Sequence, residues 1–373
     1  MRILLVISSL GLGGAERNVS RMANFWAARG HVVTIVTLSA DEDFYRLDQR
    51  VARHKLGVLV GSIGLLDALW RNAQRIARLR ATIRQLAPEV VISFLDQTNV
   101  LALLAARRLN VPVIVSERTD PAVRPLKRVW RALRRVTYPH AACVVVQTSR
   151  AAAYFRDNEK VRTVVIPNAV ERASFVLYSE RILPRPNVMG IGRLAPEKGF
   201  DLLLRAFALV AAVHPQWSLF LVGDGAMRGE LQRLANDLQV ASRVTFLGSQ
   251  QEVIALLAQA DLFVLSSRFE GFPNALCEAM AIGRAVVAFD CPSGPGEIIR
   301  HGENGLLVPP EDVAKLAETL ECLMRDPLLR NRLGERARDV VVRLGVEEIM
   351  ARWEGLFREL TKESTRHAER PPH

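Results

Sequence analysis

The residues best suited to chemistry cluster in Ser267-Arg268-Phe269-Glu270-Gly271-Phe272-Pro273-Asn274-Ala275-Leu276-Cys277-Glu278. An apolar run at 262–265 reads as a strand that ends just before this segment, and a helix is expected to begin near Asn274. The first amides of such a helix, on Asn274, Ala275 and Leu276, lack intrahelical partners and would point at an anion. Glu278 falls one turn in, where a carboxylate can bond a vicinal diol such as ribose. Glu270 precedes it by eight positions and belongs near a sugar rather than a nucleoside. A second cluster, Gly190-Ile191-Gly192-Arg193-Leu194-Ala195-Pro196-Glu197-Lys198-Gly199, sets Arg193 and Lys198 five residues apart around a proline turn. Arg by its fork and Lys as a point charge would clamp a diphosphate. The same loop also suits a plain solvated turn that caps a helix. A third, Gly11-Leu12-Gly13-Gly14-Ala15-Glu16-Arg17, lets backbone approach a phosphate at a helix start, which makes Gly13 and Gly14 candidates for donor binding. A tight strand-to-helix turn would need Gly13 and Gly14 without any ligand. It is no dinucleotide fingerprint, because Glu16 stands where the third glycine would be. Leu221-Val222-Gly223-Asp224-Gly225 reads as another such turn.

These segments need a scaffold that brings strand ends together. Strands are expected at 2–8, 32–38, 90–94, 113–116, 143–147 and 163–166, with helices near 15–29, 65–86, 98–108 and 126–137. The pattern restarts with strands at 188–192, 219–222, 244–247, 262–265 and 285–289. Helices near 199–213, 227–238, 251–258, 274–282 and 311–324 intervene. Alternation of this kind implies parallel sheets covered on both faces. The expected organisation is α/β, with two doubly wound, Rossmann-like domains facing each other across a cleft, where such folds bind nucleotides. Residues 1–168 are expected to form the first domain, 169–187 a linker with Pro184 and Pro186, and 188–345 the second domain. Residues 346–373 are a C-terminal helix returning to the first domain, fraying beyond Thr361 into a disordered tail.

Composition narrows the class. The 373 residues are 49% hydrophobic and 24% charged, which suits two ordinary domains. No apolar run approaches the roughly 18–20 residues of a membrane span. The opening Met1-Arg2-Ile3-Leu4-Leu5-Val6 reads as a buried strand rather than a leader peptide. Cys143, Cys277, Cys291 and Cys322 have neither metal-ligand nor redox-pair spacing. No obligatory metal or cofactor is expected. The net charge of +11 is unevenly placed. Residues 1–168 hold 26 Lys+Arg against 12 Asp+Glu, a balance of +14, and the remainder hold 24 against 27. The first half should therefore meet an anionic surface.

Two helices explain that charge. Over 126–136, Leu126, Val129, Trp130, Leu133 and Val136 share one face, and Lys127, Arg128, Arg131, Arg134 and Arg135 fill the other. This is the pattern of an interfacial membrane helix, and equally of a surface helix packed on its own sheet. Over 65–86, Arg71, Arg75 and Arg78 form a stripe opposite Leu65, Leu69, Ile76 and Ile83. It suits a lipid diphosphate, anionic head groups or plain solvent. Nucleic acid is not expected as a partner, since aromatic interleaving and any reading-module signature are missing.

Taken together these motifs resemble the retaining glycosyltransferases of family 4, which have the GT-B fold. The match spans nearly the whole chain: Gly13-Gly14, Ile166-Pro167-Asn168, Gly192-Arg193-Leu194, Glu197-Lys198-Gly199 and Glu270-x7-Glu278. The resemblance implies that Arg193 and Lys198 bind the donor diphosphate, Glu278 the ribose, and that Glu270 lies beside the transferred sugar. Asp290-Cys291-Pro292-Ser293-Gly294-Pro295-Gly296-Glu297, with Ser116-Glu117-Arg118-Thr119-Asp120-Pro121, is similar to a narrower group. Its members move UDP-hexoses or UDP-N-acetylhexosamines onto polyprenyl-diphosphate-linked oligosaccharides. Many relatives have a histidine where this chain has Ser116-Glu117-Arg118, so no histidine-dependent step is implied. The resulting expectation is a cytoplasmic enzyme, peripheral on the inner face of the membrane. Its partners would be a nucleotide sugar, a lipid-diphosphate-linked glycan and an anionic membrane surface. A GDP-mannose-dependent mannosyltransferase and a sugar-nucleotide epimerase remain the alternatives.

Overall fold

The computed structural model describes residues 1–61, 63–123, 126–159, 161–172, 182–250 and 253–368. The chain divides into two compact units, Ala169–Glu348 and a unit of Met1–Asn168 joined by the chain from Ile349 onward.

The first unit holds β1 (Arg2–Ile7), β2 (Val32–Thr37), β3 (Ala52–Lys55), β4 (Val90–Phe94), β5 (Val113–Ser116), β6 (Cys143–Val146) and β7 (Thr163–Val165). Its helices are α1 (Gly14–Ala28), α2 (Leu65–Leu86), α3 (Asp96–Ala106), α4 (Arg128–Thr137) and α5 (Ser149–Glu159). The strands pair in the order β3-β2-β1-β4-β5-β6-β7, every pair parallel. Helices cover both faces of such a sheet, so central strands such as β4, Val-Val-Ile-Ser-Phe, are buried at every position. The edge strand β3 is different. Its Ala-Arg-His-Lys has no apolar run to mark it, and only pairing to β2 makes it a strand. Arg53 anchors it by a fork on Asp43 at 2.8 and 2.9 Å.

The second unit holds β8 (Asn187–Ile191), β9 (Ser218–Val222), β10 (Val244–Gly248), β11 (Leu262–Leu265), β12 (Ala285–Phe289) and β13 (Leu306–Val308). Its helices are α6 (Phe200–Ala211), α7 (Arg228–Asp237), α8 (Val253–Leu257), α9 (Asn274–Ala281), α10 (Pro295–Ile298), α11 (Val313–Arg325), α12 (Pro327–Ala337) and α13 (Val340–Arg343). The order is β10-β9-β8-β11-β12-β13, again all parallel. Leu203 and Phe207 of α6, Leu219 and Leu221 of β9, and Leu316 and Leu320 of α11 share one core.

The last helix, α14 (Val346–Ala368), continues past Thr361, where the sequence predicts fraying. Within the first unit Trp353 and Phe357 close edge-on over Trp26 of α1, at centroid distances of 6.3 and 5.1 Å. All three rings are fully buried, which ties α14 to α1. Residues 173–181 of the expected linker and 369–373 of the expected tail lie outside the described residues.

Candidate active site

In each sheet the chain reverses its direction of strand addition once, between β1 and β4 and between β8 and β11. Ligands of open α/β sheets sit at the carboxyl ends of strands at such a switch point. In the second unit the loops after β8 and β11 meet there. Gly199 adopts φ 60°, and a Cβ on it would stand 2.0 Å from the Ser266 carbonyl oxygen. Gly223, at φ 133°, has room for a Cβ only 2.0 Å from the Gly192 carbonyl oxygen. No side chain fits at either position, so the Gly223-Asp224-Gly225 turn is a backing for the Gly192–Leu194 loop. Leu194 donates its amide to Asp224 O at 3.0 Å, completing that support.

This packing brings Lys198 onto Glu270. Lys198 Nζ donates to Glu270 Oε1 and Oε2 at 2.7 and 2.9 Å, and Ser267 Oγ donates to Oε1 at 2.6 Å. Glu270 is only 6% exposed, so its charge depends on these donors. Among the described residues Lys198 Nζ has no further acceptor, so one of its three ammonium protons is open to a further oxygen. Arg193 is exposed and bonds Glu197 at 2.7 Å. Burial pushes the Glu197 carboxyl up, but a backbone amide and Arg193 outweigh it, and the group titrates below the usual range. Arg268, to which the sequence reading assigned no role, braces the whole corner. It forks onto Asp201 at 2.7 and 2.9 Å, reaches Glu311 at 2.9 Å and donates to Pro196 O at 2.8 Å. Those partners raise its already high pKa, chiefly through Asp201. Its place two residues before Glu270 is the signal that could have found it.

Helix α9 starts at Asn274 with no side chain capping it. The Asn274 amide donates to Phe272 O at 3.0 Å, which corrects the expectation of three free amides. Among the described residues the amides of Ala275 and Leu276 show no backbone acceptor, and they lie at the helix's positive end. Glu278 is 8% exposed on this helix, one turn further in. The 290–296 loop closes over the helix start: Gly294, at φ 132°, would place a Cβ 2.6 Å from Pro273 Cδ. Glu270 in turn donates its amide to Pro292 O at 3.4 Å. Burial pushes the neighbouring Cys291 thiol up to about 12, so it stays protonated.

In the first unit Gly13 precedes α1, and a Cβ there would meet Glu16 Oε2 at 2.1 Å. Glycine here makes room for Glu16, whose carboxyl is raised by burial. Arg118 lies two residues past β5 and reaches over the Phe94 ring, 4.9 Å from its centroid. It donates to Asn168 Oδ1 at 2.6 Å, and with the Asn18 amide turned to face it, to that oxygen at 3.1 and 3.2 Å. Burial lowers its pKa to about 9. Beside it Glu117 is buried and pushed up to about 7, although the Tyr138 hydroxyl donates to it and Arg134 opposes the shift.

The two basic helices differ from their expected form. On α2, Arg71 pairs with Asp67 at 2.7 Å. Arg75 donates to the carbonyls of Val58 and Val60, and Arg78 to that of Leu56. The stripe holds the 56–60 segment. On α4 the apolar face is not free: Trp130 and Leu133 pack onto the core, while Val129 and Val136 are exposed. Arg134 is not among the outward cations. It is 2% exposed, within 5.3–6.0 Å of the ring centroids of Phe155, Tyr154 and Tyr138, and donates to Tyr154 Oη at 3.0 Å. The ring faces attract the guanidinium charge and offset part of the hydration it gives up on burial. Lys127, Arg128, Arg131 and Arg135 do face outward. A surface cavity of about 290 Å³, lined by Arg107, Asn110 and His140, lies at the C-terminal end of α3, remote from the strand ends that gather the motifs.

Residues 13–169 match the glycosyl transferase 4-like domain, and residues 179–340 match the glycosyl transferases group 1. Over 96% of its length the chain is 30% identical to a Campylobacter jejuni protein, of which it covers 99%. That relative is a GalNAc-alpha-(1->4)-GalNAc-alpha-(1->3)-diNAcBac-PP-undecaprenol alpha-1,4-N-acetyl-D-galactosaminyltransferase. This chain is also 30% identical, over 94% of its length, to the exopolysaccharide phosphotransferase SCO2592 of Streptomyces coelicolor, but spans only 40% of that protein. The crystal structure of Anabaena Alr3699/HepE in complex with UDP superposes with a TM-score of 0.79 at 21% identity, covering 96% of this chain and all of that one. The two parallel sheets and a 30% identical relative matched from end to end make the chain a member of the family 4 glycosyltransferases, retaining enzymes of the GT-B fold.

Proposed function

We propose that the protein moves a hexose or N-acetylhexosamine from a UDP-sugar to a polyprenyl-diphosphate-linked oligosaccharide during surface glycan assembly. The observation that carries this reading is the Lys198–Glu270–Ser267 cluster at the β8/β11 switch point, beside the uncapped start of α9. In this reading Arg193 releases Glu197 to take the diphosphate, and Lys198 adds its remaining proton to it. The amides of Ala275 and Leu276 complete the clamp, so charge developing on the leaving UDP meets fixed donors. Glu278 bonds the ribose, and Glu270, held by Lys198, stands beside the transferred sugar. With no base assigned, the departing phosphate takes the acceptor's proton on the face it leaves. The unit of residues 169–348 is the donor domain, and the basic surface of the first unit serves the acceptor.

The UDP bound by the Anabaena protein and the undecaprenol-linked substrate named for the Campylobacter relative support these choices. Among the described residues no helix is long and apolar enough to cross a membrane, so a lipid-linked acceptor would be met at the bilayer surface. Calorimetric titration with UDP, GDP and ADP tests the donor half. UDP should bind at least about tenfold more tightly than GDP, and Arg193→Ala should remove most of that affinity. Preference for GDP would favour the mannosyltransferase reading instead.

A further inference from the structure

The first unit carries an apolar patch that its own core does not use. Before and within the first turns of α2, Val60, Ile63, Leu66, Leu69 and Trp70 are 52, 97, 82, 60 and 62% exposed. Leu66, Leu69 and Trp70 are three and four residues apart and so share one helix face. The sole acid in this stretch, Asp67, accepts from the Ile63 amide at 3.0 Å and pairs with Arg71. The patch therefore presents no open negative charge. Trp130 of α4 joins Val58 and Ile76 in one small cluster, which sets the start of α4 alongside. There Lys127, Arg128 and Arg131 face outward with Val129, itself 66% exposed. None of the three cations is drawn into an ion pair among the described residues.

A contiguous exposed apolar patch marks a docking surface. Its rim here is cationic, which complements anionic lipid head groups at the edge of an acyl layer. A tryptophan among the apolar residues fits the same boundary, with its ring in the acyl region and its N–H toward water. We propose that Val60, Ile63, Leu66, Leu69 and Trp70, with the first turns of α4, form the face by which the protein seats in an anionic bilayer. Ile63, Leu66, Leu69 and Trp70 enter the interface while Lys127, Arg128 and Arg131 contact head groups. The apolar anchor thus sits on α2, not on α4. This deepens the reading of a lipid-linked acceptor by naming the surface that meets the lipid, and its test contains no acceptor.

Sedimentation of the full chain with vesicles of phosphatidylcholine, alone or with about a third phosphatidylglycerol, tests the face. The wild type should bind the anionic vesicles, and more weakly as added salt shortens the screening length from about 10 Å toward 3 Å. Ile63→Ser/Leu66→Ser/Trp70→Ser should lower partitioning about 100-fold or more, given the burial value of large apolar side chains. Lys127→Ala/Arg128→Ala/Arg131→Ala should abolish the preference for charged vesicles. Brominated lipid should quench wild-type tryptophan fluorescence, and Trp70→Phe should remove most of that quenching, because Trp26, Trp217 and Trp353 are fully buried and Trp130 is half-buried against the core. Equal binding to neutral and charged vesicles, undiminished binding of the serine variant, or quenching undiminished in Trp70→Phe would each overturn the proposal. Wild-type dimers in analytical ultracentrifugation that the serine variant loses, without vesicle binding, would reassign the face to a second copy of the chain. UDP titration of the same proteins reports separately on the donor reading, which can fail while vesicle binding stands.

Discussion

Lys198→Met is the substitution whose consequences the geometry constrains most. It removes both charge-assisted bonds to Glu270, at 2.7 and 2.9 Å, and leaves that carboxylate with the Ser267 hydroxyl at 2.6 Å. Breaking a fully buried ion pair costs about 3–5 kcal/mol. Here the Lys198 side chain is 23% exposed and Glu270's 7%, so water recovers part of the loss. We expect about 2–3 kcal/mol, or roughly 4–12 °C in the unfolding midpoint of a unit this size. Glu270→Gln on top of it should restore about 1–2 kcal/mol, since a neutral amide needs no counter-charge. Turnover should fall about 100- to 1,000-fold in the single variant, on the scale of a lost transition-state donor, and stay low in the double. Scanning calorimetry of the wild type, both singles and the double gives the coupling, and donor consumption gives the rates. A Lys198→Met protein as stable as wild type, or a double variant no more stable than the single, would refute the pairing argument. Near-normal turnover would remove Lys198 from the chemistry.

Further expectations concern separate residues. Glu278→Gln should weaken UDP binding about tenfold or more in titration, whereas Glu270→Gln should chiefly lower turnover while UDP still binds; the reverse would exchange their roles. Glu117 is held protonated by burial up to about 7, above its ordinary 4.5. The folded state thus binds this proton more tightly than the unfolded chain, and its stabilisation, full below pH 4.5, is lost as pH rises toward 7. Glu117→Gln should flatten that decline, on the order of 2–3 kcal/mol, in urea unfolding at pH 5 and pH 8. An equal decline in the variant would locate the titration elsewhere. Gly199→Ala, at φ 60° and against the Ser266 carbonyl, should cost about 1–3 kcal/mol in the same assay. Unchanged stability would mean that the loop relaxes freely.

The central strands were legible because a sheet covered on both faces demands runs such as Leu262–Leu265, found where the apolar pattern places them. The strand β3 was not, since Ala52–Lys55 is polar and owes its form to pairing with β2. Three-residue β13 and the short α10 and α13 are likewise fixed by neighbours rather than by period. In the candidate site the residue types and their loops were readable, but their partners were not. Motif spacing separates Lys198 from Glu270 by 72 positions, and tertiary contacts such as the close approach of Gly199 to Ser266 and the Arg268 bonds to Pro196 and Asp201 join their loops. The α4 wheel misled at Arg134, because a helical projection cannot know that three aromatic rings wait beneath one of its cations. It also could not show that Trp130 faces inward while Trp70 of α2 faces out.

Transfer of labelled sugar into lipid is the most direct measurement of the central claim. The protein is incubated with radiolabelled UDP-hexoses, UDP-N-acetylhexosamines or GDP-mannose and a polyprenyl-diphosphate-linked oligosaccharide, and the organic phase is counted. The account predicts label in the organic phase from a UDP-sugar, dependent on the lipid acceptor and lost with Glu270→Gln. Label from GDP-mannose alone, or a donor altered without any acceptor, would contradict it.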